Sequence, residues 1–218
     1  MNQEMMQPFQ GYLAPGLYFS GGYCLWLSNF TATPAGPAHS EIGLLTPTGR
    51  RTVYFDTGAD RPDNCTLQHY EEAVGASLFW GWPDRYTLHM SMQACDGTTA
   101  DLYVFLARSL RASLLNGLLW VIPQRLVRTR PMLGILELCM ELLLDAGRLK
   151  PGDHTRRGKA FLSQGNRVAI VHSAAAWLNG ETLGELTRPP GTILAGNLRV
   201  PDHAFFSFGT VYLEPGSA

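Results

Sequence analysis

A mainly β fold, either a closed barrel or a sandwich, is predicted as one domain over residues 1–218, with a helical segment inserted at about 107–147. Three observations predict it. The first hundred residues alternate short runs rich in β-branched and aromatic side chains with clusters of Gly, Pro, Asp and Asn, the pattern of antiparallel strands and turns. From Ala107 to about Asp145 that alternation stops and helical spacing replaces it. Beyond residue 158 strand-like text returns, and those late strands need partners from the early set, so the helices interrupt one domain.

The expected strands of the first half are YCLWLSNF (23–30), EIGLLT (41–46), RTVYFDT (51–57), NCTLQHYEEAV (64–74), SLFWGW (77–82), RYTLHMSMQ (85–93) and ADLYVFLAR (100–108). TPTG and CDGT, between strands, carry hairpin-turn chemistry. LRASLLNGLLWVI and PMLGILELCMELLLDAG read as helices broken at Pro123 and around Pro131. In the second, Pro131 suits the first turn and Gly147 a C-terminal cap, while Glu137, Glu141 and Asp145 make a polar stripe at spacing four. KAFLSQ (159–164), NRVAIVHSAAAWL (166–178), TILAGNLRV (192–200) and AFFSFGTVYLE (204–214) complete the strands.

Composition excludes several functions. A formal net charge of −1 and no basic patch interleaved with aromatics argue against a nucleic-acid partner. Cys24, Cys65, Cys95 and Cys139 form no CxxC pair and have no histidine at metal-ligand spacing, so no metal is expected. There is no GxSxG elbow, phosphate loop, HExxH or dinucleotide fingerprint, so no cofactor is expected either. The opening MNQEMMQPFQGY lacks the basic start and apolar run of a secretory signal, which makes the cytoplasm the expected location. Only 16% of residues are charged, against roughly a quarter in typical chains, which is compatible with a large interior or with a face covered by a partner such as a second copy.

The candidate site starts from DRYTLHMSMQ at 84–93. On a strand Tyr86, Leu88, Met90 and Met92 share one face, and Thr87, His89, Ser91 and Gln93 the other. The apolar set either fills a solid core or lines a cavity for a greasy ligand. Tyr23, Trp26, Trp80, Trp82 and Tyr86 are the expected lining, each bringing ring area and a polar edge. For acid–base work the candidates are His69, Glu71, Glu72 and His89, because a histidine beside a carboxylate can move a proton near neutral pH. Between Arg108 and Arg130 lie five arginines and no acidic residue around LLNGLLWVI, which either rests on an anionic membrane surface or caps one end of the barrel.

The opening GGYCLWLSNF, the later FWGWPDRYTLHMSMQ and then ADLYVFLAR resemble, in order, the lipocalin-like barrels of the carotenoid 1,2-hydratase and AttH group. That resemblance implies a barrel around an isoprenoid- or polyketide-like molecule, with isomerisation, cyclisation or hydration performed by side chains alone. A non-catalytic carrier using the same cavity is the alternative. LSNF at 27–30 with NCTLQHY at 64–70 is also similar to the NADAR family of ADP-ribose-linked N-glycosidases, although Leu67 stands where that family is expected to carry a glutamate.

Overall fold

The computed structural model describes residues 7–33, 38–56, 70–122, 126, 129–147, 149, 152–154, 160–195 and 198–214. In chain order the elements are β1 (Gln7–Tyr18), β2 (Cys24–Ala32), β3 (His39–Leu45), β4 (Arg51–Asp56), β5 (Glu72–Asp84), β6 (Thr87–Ala94), β7 (Thr99–Leu106), α1 (Leu110–Val121), α2 (Arg130–Leu144), β8 (Gly152–His154), β9 (Ala160–Leu178), β10 (Glu181–Thr182), β11 (Leu194–Ala195), β12 (Leu198–Arg199) and β13 (Phe205–Leu213). The sheet runs β9-β13-β1-β2-β3-β4-β5-β6-β7, and β7 pairs again with β9, so it closes into a ring. Neighbours are antiparallel except β4 and β5.

Closure rests on β9. Its first part pairs with β13 (Phe161↔Leu213 to Ile170↔Phe205) and its second with β7 (Val171↔Leu106 to Leu178↔Ala100). The sequence reads this element as two strands broken at Gly165, yet it is continuous. Gly165 faces Gly209, which faces Gly11, so three strands approach closely along one row. A Cβ at Gly11 would run into the Asn29 carbonyl, and one at Gly209 into that of Gln164.

β1 is the strand missed in the sequence, because Pro15 and Gly16 look like breakers. They sit in a register shift between Ala14 and Leu17, where the ladder needs no donor from Pro15. The expected strand 64–74 is not seen as such: residues 57–69 lie outside the described residues, and β5 starts at Glu72 and absorbs SLFWGW. TILAGNLRV supplies only the small β11–β12 hairpin, apart from the ring. TPTG and CDGT do turn the chain, with Gly49 and Gly97 both at φ +88°.

Inside the ring the apolar set of β6 is solid core. Leu88 and Met90 are fully buried beside Leu27, Ile42 and Leu102. Each such side chain contributes about 1.5–3 kcal/mol by leaving water.

α1 packs on the outside of β9 and α2 packs on α1, with Leu115, Leu144, Val168 and Phe205 in one apolar cluster. Asn116 clips α1 to the strand, donating to the Val168 carbonyl at 2.9 Å and accepting from its N–H at 2.6 Å. Pro131 occupies the first turn of α2 as expected, but the cap belongs to Asp145, in the left-handed region at φ 52°. The polar stripe is also turned from its expected place: Glu137 and Glu141 are half-buried, whereas Ile135, Leu138 and Leu142 are exposed.

Candidate functional site

One end of the ring interior is aromatic. Tyr12 of β1 sits at its centre, with ring centroids 6.0 Å from Trp80, 5.5 Å from Trp82, 6.0 Å from Phe206 and 5.7 Å from Phe208. Strand alternation puts them together. Trp80 and Trp82 are two apart on β5, as are Phe206 and Phe208 on β13, and each pair points inward. Phe206 is buried, and the other four rings are only half-buried, so this end is reachable from outside. Trp80 buries its Nε1 with no hydrogen-bond partner among the described residues, a donor that costs about 1–3 kcal/mol unpaired.

Burial pushes the Tyr12 phenol up to about 12, against which a hydrogen bond from Trp82 acts weakly. Tyr12 is therefore neutral across the physiological range. Between its ordinary value of 10 and about 12, the folded chain keeps a proton that the unfolded chain has lost. The stability this provides is complete below about 10 and fades as pH climbs to about 12, a loss of about 2–3 kcal/mol. Urea unfolding at pH values either side of that window is expected to show this loss in the wild type and not in Tyr12→Phe.

Arginines rim the same end. The Arg85 and Arg108 guanidinium carbons stand 4.6 and 4.8 Å from the centre of the Tyr86 ring, and Arg167 stands 4.7 Å from that of Phe208. All three arginines are exposed. Asp84 fixes this corner by accepting from the Tyr86 N–H at 2.7 Å and the Thr87 hydroxyl at 3.0 Å, bonds that hold its carboxyl below the usual range.

The residues anticipated from sequence divide. Trp80, Trp82 and Tyr86 belong to the aromatic end, while Met90 and Met92 are buried core beside them. Tyr23 lies in the β1–β2 turn. Trp26 is on the outward face of β2 with Cys24, Leu45 and Val200, because Leu25 and Leu27 take the inward positions. Burial raises the Cys24 thiol well above its ordinary range, so it stays protonated.

Of the four proton-transfer candidates, the three that are described, Glu71, Glu72 and His89, lie away from the aromatic cluster. His69 lies outside the described residues. Glu71 and Glu72 are exposed at the start of β5, the far end of that strand from Trp82, and Glu72 pairs with Arg50. His89 faces outward, stacked on Tyr103 at 4.3 Å and 11°, with Nε2 3.7 Å from the Asp101 carboxylate. A histidine–carboxylate pair does occur elsewhere. His39 Nε2 lies 3.4 Å from Glu41 Oε2, both side chains 4% exposed, on the opposite side of the sheet from Tyr12.

Tyr12, Phe206, Phe208 and the three arginines were not anticipated as site residues. FFSF, with rings at spacing two in a strand, carried a readable signal for the phenylalanines. A cavity of about 10 Å³, room for one water, lies beside Tyr12 between β1, β13 and β9, lined by Gly11, Gln164 and Gly209 among others. Among the described residues no group of histidine, cysteine and carboxylate side chains has the arrangement of a metal site.

No family model matches the chain, and no curated protein matches it. The resemblance to the carotenoid 1,2-hydratase and AttH group thus stands on strand order and the stretches quoted above. Among solved structures the chain is similar to acetoacetate decarboxylase from Legionella pneumophila subsp. pneumophila str. Philadelphia 1, with a TM-score of 0.38 and 9% identity over 96% of this chain and 84% of that one.

Proposed function

We propose that the protein binds a small, largely apolar molecule with a hydrogen-bond acceptor or acidic group at the aromatic end of the ring. The observation that carries this reading is the half-buried cluster around Tyr12, with the Trp80 N–H left without a partner among the described residues. Rings stack on the apolar body, the indole N–H takes an acceptor, and Arg85 and Arg108 favour negative charge at the rim.

Binding or carriage is the best-supported form of the function. Isomerisation, cyclisation or hydration would need a group whose proton affinity suits neutral pH. The phenol of Tyr12, at about 12, serves better as a hydrogen-bond donor than as a base. In an isomerisation, cyclisation or hydration at this end, Tyr12 would donate to the developing negative charge.

Quenching of tryptophan fluorescence by anilinonaphthalene sulfonate, which joins apolar rings to an anion, tests the reading. Saturable binding is expected, weakened about tenfold in Trp80→Phe, the equivalent of one lost hydrogen bond. Absence of saturable binding, or wild-type affinity in both Trp80→Phe and Phe208→Ala, refutes it.

A further inference from the structure

The helical insert turns apolar side chains to solvent. Leu110, Leu114 and Trp120 of α1 and Ile135, Leu138 and Leu142 of α2 are all exposed, Leu110 by 85% and Trp120 by 87%. On each helix the leucines recur at three- or four-residue spacing, which makes a stripe rather than a scatter. The inner sides of both helices are already engaged: α1 packs on β9, whose backbone Asn116 bonds, and α2 packs on α1, with Leu115 and Leu144 in one buried cluster. The outer stripes therefore add nothing to the fold, and contiguous apolar surface of this kind marks an interaction site.

We propose that these faces of α1 and α2 dock on an anionic membrane surface. Charge selects this occupant. Arg108 and Arg111 are exposed where α1 begins, and residues 108–130 hold five arginines without a carboxylate. On α2 the acidic side chains Glu137 and Glu141 are half-buried, and Asp145, just past its end, is paired with Arg188. Leucine and tryptophan bordered by arginine match acyl chains beneath phosphate headgroups. A second copy would instead bring one positively charged, carboxylate-poor face against another. Among the described residues no helix is long and apolar enough to cross a membrane, so the pair lies along the interface.

Arg108 links the surface to the ring, since it stacks on Tyr86 at the aromatic end and precedes α1 by two residues. Docked helices bring that end to the lipid boundary, where an apolar molecule can pass into it without crossing water.

Sedimentation of the intact protein with phosphatidylcholine vesicles, with and without phosphatidylglycerol, tests the proposal. Binding to the mixed vesicles is expected, weakening as salt rises. Replacing Leu114 and Leu138 together by serine is expected to reduce it at least about tenfold. Arg108→Gln with Arg111→Gln is expected to remove the preference for phosphatidylglycerol. Failure of the wild type to sediment with either vesicle at low ionic strength overturns the proposal. So does a dimer in size-exclusion chromatography that the leucine replacements split, because the occupant is then a second copy. Trp80→Phe, which alters the ring interior and leaves the helices untouched, is expected to sediment as the wild type does, which separates this result from that of the fluorescence titration.

Discussion

Phe206→Ala is expected to destabilise the protein by about 3–5 kcal/mol, enough to consume much of the stability of an ordinary domain. The side chain is fully buried, and its ring centroid lies 6.0 Å from Tyr12, 6.2 Å from Trp82 and 6.1 Å from Phe208. Removing it takes apolar area out of the core and leaves a void, since the strands bearing its neighbours are fixed by the ring and cannot close over it. Thermal or urea unfolding followed by circular dichroism measures the loss. The same variant is expected to weaken probe binding, because Tyr12 and Trp82 lose the ring that sets their tilt. A change below about 1 kcal/mol would show that this end of the ring is loosely packed.

Gly11→Ala is expected to cost about 3 kcal/mol or more, at the upper end for an overpacked site. A methyl group there would meet the backbone carbonyl of Asn29 on β2, an atom that cannot swing aside as a side chain tip does. Relief would need β1 and β2 to part, next to a register shift opposite Gln10 and Gly11 where β2 carries the extra residue Thr31. Alanine at Gly117 gives the contrast, because nothing lies near a Cβ there. Unfolding midpoints of the two variants, measured side by side, separate steric conflict from a general effect of losing glycine.

Much of the fold could be read from the residues. Alternation in RYTLHMSMQ set the apolar face of β6 correctly, because one side of that strand is core. Glycine and proline misled where they bend a strand rather than end it: Pro15 and Gly16 hid β1, and Gly165 split β9. The helices were legible but their orientation was not. Glu137 and Glu141 suggest a wet face by composition, yet the packing of α2 on α1 leaves Ile135, Leu138 and Leu142 outside.

The site was half legible for a related reason. Periodicity groups Trp80 with Trp82, but only the closed ring brings Tyr12 and Phe206 from opposite ends of the chain against them. Proximity in QHYEE pointed to His69 and Glu71, of which His69 lies outside the described residues; His39 and Glu41, a buried pair two apart on one outward face, were not singled out.

Because β9 is the closing stave, the barrel's birth has an order. Until residues 160–213 have been made, β1 and β7 are each left with one margin bare, and a nascent chain carries two strips of idle N–H and C=O groups. Pairing must then span almost the entire polypeptide, a slow, high-contact-order step. The finished cylinder has no such seam in its main circuit, so the hazard of sticking to a neighbour belongs to synthesis rather than to the mature molecule.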